Sequence, residues 1–310
     1  MRRRDALLLG AIAALRPGHG LAVPAPAQPF PMAEVAPGLH VRQGVHEEAT
    51  PENQDGIANI GFVVGQEAVA VLDPGGSRAD GERLRASIRE RTKLPIRYVV
   101  MTHLHPDHVF GAVAFADDRP VFVGHARMAA MLVQRGEFYR NGLADALGIE
   151  EAGDYAKPDL LVSDTASIDL GGRRLRLQAH PTAHTDNDLS ILDEATGTLW
   201  LGDLLFVDRV PALDGSILGW LAEMQALRSV PAARAVPGHG PAVVSWPVAA
   251  AAQERYLSGL VRDIRAIIAH GGDIEQAVAT VGQAERGHWA LFDDYNGRNV
   301  TGAFKELEWE

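Results

Sequence analysis

Apolar positions along the chain change period several times, and the changes divide it into two strand-rich batches separated and followed by helices. Leu39 to Val45, Ile60 to Val64 and Val69 to Leu72 read as strands, the last two joined around Gly65. Asp80 to Arg91 has helical charge spacing, and Pro95 ends it ahead of a strand from Ile96 to Met101. Val121 to Val123 is a further strand, and Arg127 to Leu147 a long helix. The second batch opens with a hairpin, Ser167 to Leu170 and Arg173 to Gln178, across Gly171-Gly172. A second hairpin pairs Leu189 to Leu192 with Thr198 to Leu201, turning at Gly197. Ser216 to Arg228 is helical, Arg234 to Val236 is a short strand, and the chain is almost entirely helical from Trp246 onward. Two sheets buried face to face, with helices on both outer faces, satisfy this order: an α/β/β/α four-layer sandwich with a helical C-terminal extension.

Composition narrows the chemistry. The chain has 310 residues, 46% of them apolar and 22% charged, as in ordinary globular proteins. Its net charge is −11, with no basic stripe, so a nucleic-acid partner is excluded and a small-molecule substrate expected. There is no cysteine, which removes disulfides, thiolate ligands and thiol nucleophiles together; any metal must be held by histidine and carboxylate.

The N-terminus carries Arg2, Arg3 and Arg4, an apolar run from Ala6 to Leu15, and the small-residue site Ala25-Pro26-Ala27. This is the layout of a secretory leader over residues 1–27, too short to anchor the chain, and its paired arginines suit the twin-arginine route to the periplasm. Cleavage after Ala27 leaves 25 basic and 39 acidic residues, a net charge of −14, and no stretch able to span a membrane. Residues 28–245 then form the main domain, with 246–310 as a helical segment packed on it.

The strand Ile96 to Met101 runs into Thr102-His103-Leu104-His105-Pro106-Asp107-His108. His103 and His105 are two apart and point to one side where the chain leaves the sheet. Pro106 then breaks the extended run, which turns Asp107 and His108 toward a neighbouring point. Three imidazoles and a carboxylate packed so closely are unfavourable without a cation, so the segment reads as feeding two adjacent metal sites.

This pattern resembles the His-x-His-x-Asp-His signature of the metallo-β-lactamase superfamily. The remaining parts of that signature follow in order: Ala183-His184-Thr185, Leu201-Gly202-Asp203 at a strand end, and Pro237-Gly238-His239-Gly240. The resemblance implies a first metal on His103, His105 and His184, a second on Asp107, His108 and His239, and Asp203 between them. It further implies two Zn²⁺, iron or manganese being compatible with the same donors, and a hydroxide held between the metals that attacks a carbonyl, with Asp107 handling a proton. Asp73, in Leu72-Asp73-Pro74-Gly75, matches a strand-end aspartate that orients a metal-binding histidine. His40, His46, His125, His180, His270 and His288 lack such spacing and read as structural or exposed, with His46 and His180 the two to watch near the site. Phe206, Tyr139 and Trp220 are offered as pocket walls.

Within the superfamily, branches that use a cysteine ligand, a glutamate in place of His105, or a basic RNA-binding surface do not fit. Gln43-Gly44-Val45-His46-Glu47, Asn59-Ile60-Gly61-Phe62, His184 to Leu189, Gly202 to Phe206 and the tail from Arg298-Asn299-Val300 to Glu308-Trp309-Glu310 are similar to the quinoprotein relay system zinc metallohydrolases. That resemblance implies a periplasmic zinc hydrolase of an ester, thioester, lactone or β-lactam-like substrate, with quinoprotein dehydrogenases or cytochromes as pathway partners. An iron-dependent redox or sulfur-handling component, and a non-catalytic quinoprotein accessory, are the alternatives on the same fold.

Overall fold

A computed structural model describes residues 27–310 of the chain. The expected leader, apart from its last residue, lies outside them. No helix among the described residues is long and apolar enough to cross a membrane.

Strands β1 (Ala33–Ala36), β2 (Leu39–Arg42), β3 (Ile60–Val64), β4 (Val69–Leu72), β5 (Ile96–Val100), β6 (Val121–His125) and β7 (Leu160–Val162) form one sheet in chain order. It is antiparallel from β1 to β4 and parallel from β4 to β7. Strands β8 (Thr165–Asp169), β9 (Arg174–Ala179), β10 (Leu189–Asp193), β11 (Thr198–Phe206), β12 (Arg234–His239) and β13 (Val244–Ser245) form the second, ordered β13-β12-β11-β10-β9-β8. Alternation on β9 shows the reason for the pairing: Leu175, Leu177 and Ala179 are buried while the intervening residues are more exposed.

Between the sheets lies an apolar layer of Val41, Val63, Leu72 and Val100 against Leu175, Leu177, Ile191 and Trp200. Helix α1 (Arg78–Arg91) covers the outer face of the first sheet through Leu84 and Ile88, aided by Phe115 in a 3₁₀ segment. Its N-terminus is capped by Ser77, whose Oγ accepts a hydrogen bond from the Asp80 amide at 3.2 Å. Helix α2 is a single turn, Pro106–Val109, and α3 runs from Met128 to Leu147. On the second sheet's outer face, α4 (Ile217–Leu227), α5 (Ala250–Ala269), α6 (Ile274–Thr280) and α7 (Phe292–Leu307) share one core with β11. This is the expected four-layer sandwich.

The long helices fall within a residue or two of their predicted bounds. Strands β1, β7 and β13 were not predicted, and β11 and β12 run past their predicted ends through Asp203 and His239. Every residue of β11 is buried because sheet and helices cover both its faces, so its polar Gly202-Asp203 step did not read as strand interior. Leu39 to Val45 stops pairing at Arg42, whose guanidinium is buried and bonded to Asp80 (2.5 and 2.6 Å) and to the carbonyls of Gly56 and Ala58 (2.7 and 3.0 Å). That cluster pins the loop 43–59 beside the site described next.

Candidate metal centre

All the chemistry-bearing segments emerge at one end of the two sheets. After β5, Pro106 occupies the first position of α2, where its missing N–H costs nothing, and places Asp107 and His108 on the first turn. Two glycines make room for the bridging carboxylate. Gly202 has φ +50° at a register shift of β11, and a Cβ there would lie 2.6 Å from Thr102 Oγ1. A Cβ on Gly238 would lie 1.9 Å from Asp203 Oδ1. The glycines of Leu201-Gly202-Asp203 and Pro237-Gly238-His239 are therefore spatial requirements of the centre.

His103, His105, His184 and Asp203 form one cluster, and Asp107, His108 and His239 a second beside it. In the first, His105 Nδ1 stands 3.1 Å from His103 Nε2 and 3.0 Å from His184 Nε2. In the second, His239 Nε2 is 3.2 Å and His108 Nε2 3.6 Å from Asp107 Oδ2. Asp203 joins them: Oδ2 faces His184 at 3.4 Å and His103 at 3.8 Å, while Oδ1 faces His108 at 3.0 Å and His239 at 3.5 Å. All seven predicted residues are thus brought together, with the single carboxylate between the two groups.

The donor set fits metal ions on three counts. Lone-pair nitrogens about 3 Å apart repel unless a proton or cation lies between them, and ligands of a tetrahedral zinc at ~2.0–2.1 Å sit roughly 3.3 Å from one another. His108 Nε2 and Asp203 Oδ1 are buried and make no hydrogen bond, an arrangement costly for polar atoms without a further partner. Each histidine also presents its far nitrogen to an oxygen. His103 Nδ1 meets Thr102 Oγ1 (3.0 Å), His105 Nε2 meets Asp214 (3.2 Å), and His184 Nδ1 meets the Ala212 carbonyl (2.7 Å). His239 Nδ1 meets the Ile57 carbonyl (3.0 Å), while His108 Nδ1 lies 3.1 Å from Asp73 in an ion-pair contact without hydrogen-bond alignment. Such contacts fix the tautomer that leaves the inward nitrogen free to ligate.

Electrostatics agree. Burial, reinforced by the neighbouring His108, holds the His103 imidazole well below its ordinary range, and burial brings His184 down to about 4; both are neutral donors at pH 7. Burial disfavours charge on His108 as well, but Asp203, Asp107 and Asp73 outweigh it and lift its affinity for a proton well above the ordinary. Burial likewise opposes the Asp203 charge, yet His239 and His108 keep its carboxyl well below the usual range. The second cluster therefore attracts a positive charge even among its own side chains.

Asp73 is fully buried with φ +55°, a conformation uncommon outside glycine. Its Oδ1 accepts from the Thr102 amide (2.8 Å), and its Oδ2 accepts from Thr102 Oγ1 (3.1 Å) and Trp200 Nε1 (3.2 Å) while facing His108. One carboxylate so orients His108 directly and His103 through the Thr102 hydroxyl. Asp73→Asn is expected to weaken metal binding by about 10- to 100-fold, read by competition with a chromophoric chelator. Wild-type affinity in that variant would remove Asp73 from the support of the centre.

Several contributors went unread in the sequence. Asp214 and the Ala212 carbonyl come from the long segment 207–216, which carries no spacing signal. Asn59 donates to the Pro237 carbonyl (2.9 Å) and accepts from the Gly44 amide (2.9 Å), tying the loop before β3 to the loop that bears His239. From the C-terminal helices, Gln253 accepts from the Phe206 amide (2.7 Å) and Asn299 from the Leu213 amide (2.9 Å), so α5 and α7 hold the segment leading out of the centre. His180 is held between Glu223 (2.9 Å) and Ser190 (2.8 Å) against α4 and does not reach the clusters. His46 lies close enough for His239 to help burial lower its proton affinity. Of the offered pocket walls, Phe206 stacks on His239 at 5.0 Å, Tyr139 lines the cavity, and Trp220 is fully buried behind His184.

The family model described as the metallo-beta-lactamase superfamily matches residues 53–239, and the chain belongs to that superfamily. Its structure is similar to a metallo-beta-lactamase from Pontibacter korlensis, at 18% identity and TM-score 0.59, over 74% of this chain and 98% of that one. It is also similar to the stereoselective inverting sec-alkylsulfatase Pisa1 from Pseudomonas sp., at 16% identity and TM-score 0.64, over 89% of this chain and 50% of that one. At these identities the likeness shows the fold. A linear primary-alkylsulfatase from Pseudomonas sp. is 34% identical over 64 residues, 21% of this chain but 12% of that enzyme. The chain thus matches only part of the alkylsulfatases' length.

Proposed function

We propose that the protein is a two-zinc hydrolase of small ester-type substrates: carbonyl esters, thioesters or lactones, with sulfate esters added by the alkylsulfatase likeness. The observation that carries the reading is Asp203, whose two oxygens face two separate three-residue groups. Two divalent cations held there would supply Lewis acidity and bring the proton affinity of a water down toward neutral pH. A cavity of about 300 Å³ opens directly over His105, Asp107, Asp203 and His239 and admits a small molecule.

The chain's own groups do the rest. Four histidines hydrogen-bonded at the far nitrogen, and His108 facing Asp73, hold the centre rigid through the reaction. Asp107 lies at the edge of the cavity, and His108 and His239 overcome the burial that opposes its charge, keeping it ionised below the usual carboxylate range. It is the carboxylate placed to accept a hydrogen bond from the water and aim it, while its low proton affinity lets the proton pass on to the departing oxygen or sulfur. With an acyl ester, thioester or lactone the water's oxygen bonds to the acyl carbon, the bond to the leaving group breaks and the proton passes to that group, giving an acid and an alcohol or thiol (one hydroxy acid from a lactone); with a sulfate ester the water's elements divide between an alcohol and hydrogen sulfate. Arg209, 3.2 Å from His239 Nδ1 and 3.1 Å from the Tyr295 hydroxyl, and Arg298 beyond it give the cavity wall positive charge for an anionic product or substrate.

The proposal extends to an exported protein, on the leader-like pattern at 1–27, and to service in quinoprotein-linked periplasmic metabolism, on the motif resemblance. Metal analysis of protein recovered from the periplasm, followed by a screen of esters, thioesters, lactones and sulfate esters, tests it. Two zinc per chain and turnover lost in Asp107→Asn are expected. One redox-active iron per chain without turnover would replace the hydrolytic reading.

A further inference from the structure

The same end of the fold carries a second cavity, of about 250 Å³, that meets the first at Ile57, Pro106, Asp107 and Tyr139. Its character differs. Where the first is walled by Arg209, Arg298 and Tyr295, the second runs along α3 over Tyr139, Gly142 and Leu143 and under Phe138. Two further acids line it: Glu48, on the side toward the first cavity, accepts from the Tyr295 hydroxyl at 2.6 Å and lies 3.6 Å from Arg209, and Asp55 is buried, its carboxyl pushed well above the usual range by burial and by the neighbouring Asp107 and Asp80. Phe138 is 75% exposed at the groove's lip and meets Tyr139 edge-on, with ring centroids 5.7 Å apart. Gly142 leaves the floor open: a Cβ built there meets nothing within 4 Å.

We propose that this groove binds the apolar chain of the substrate, so that the natural substrate is an amphiphile. Its hydrolysable head sits over Asp107 and Asp203, and its alkyl or acyl chain lies along α3. The inference deepens the hydrolase reading and rests on it for the position of the head. The four residues shared by the two cavities make head and chain sites continuous, so one molecule spans both. Opposite lining fixes its direction, with the polar end toward Arg209 and the chain toward Leu143.

Chain length is the variable to measure. Burying a methylene in a groove open on one side is worth about two- to fourfold, so p-nitrophenyl octanoate should exceed p-nitrophenyl acetate in kcat/KM by at least about 50-fold on the zinc-loaded full chain. Octyl sulfate against ethyl sulfate, run alongside, distinguishes acyl from sulfate esters as the source of the chain. Gly142→Phe fills the groove without strain, since the helix tolerates the residue and the space is open; it should bring the octanoate-to-acetate ratio down by at least about tenfold at an unchanged melting temperature. Binding provides a readout independent of turnover: octanoate should bind more tightly than acetate by calorimetry, and Gly142→Phe should abolish the difference. Octanoate binding that depends on Gly142, without hydrolysis of any ester, would keep the groove and overturn the hydrolase reading. Ester hydrolysis indifferent to chain length, or equal binding of octanoate and acetate, would overturn the groove.

Discussion

Asp203→Ala is expected to leave at most one tightly bound metal per chain and to lower kcat/KM by at least about 10³-fold. The size follows from geometry. Asp203 is the one carboxylate whose oxygens face both clusters, Oδ2 toward His184 and His103 and Oδ1 toward His108 and His239. Its removal takes a negative charge from between two would-be dications, so the first ion bound repels the second with no shared carboxylate between them. Loss of a principal electrostatic element in a water-poor site costs catalysis about 10²–10³-fold by itself, and loss of one metal adds to that. The fold should survive, because the side chain is small and Gly202 and Gly238 already surround it with backbone. Metal stoichiometry by mass spectrometry, ester turnover and far-UV circular dichroism separate the outcomes. A folded Asp203→Ala protein that retains two tightly bound metals would show that the carboxylate does not bridge.

Much of this centre is legible in the sequence, and the reason is local. The run 103–108 places four donors within six residues, so chain connectivity alone brings them close, and the glycines flanking Asp203 and His239 mark backbone that must pass near something. The sandwich was legible because its strands are short apolar runs between clear breakers and its helices long. What failed to show is of another kind. β1 and β7 are short edge strands whose pairing is decided by neighbours far along the chain, and β11 hides its Asp203 inside a strand buried on both faces. The oxygens that aim the imidazoles include two backbone carbonyls, Ala212 and Ile57, which any residue supplies and no sequence pattern advertises. The α3 groove was equally unreadable, since Phe138 and Gly142 look like ordinary surface positions until the helix is set beside Asp107.

Stripping both metals should abolish ester turnover and lower the melting temperature by roughly 15–30 °C, with both restored by zinc. An ion that binds only the folded chain stabilises it by about 4 kcal/mol per site at a thousandfold excess over Kd. For a domain of this size each kcal/mol corresponds to about 2–4 °C. The apo protein should remain folded, because the three apolar layers that flank and separate the sheets do not depend on the clusters. Uptake should also be proton-linked, in a direction the site dictates. In the metal-free chain burial disfavours a proton on His108, but the carboxylates of Asp203, Asp107 and Asp73 outweigh it and raise its proton affinity well above that of an ordinary imidazole, and that proton must leave for Nε2 to ligate. Affinity at the second cluster should therefore rise with pH across neutrality, by about tenfold per unit where one proton is displaced. Measuring zinc affinity between pH 6 and 8 checks the sign. A flat or falling dependence would mean that His108 is already free of its proton, and the three carboxylates around it would then need a different cation to account for their burial.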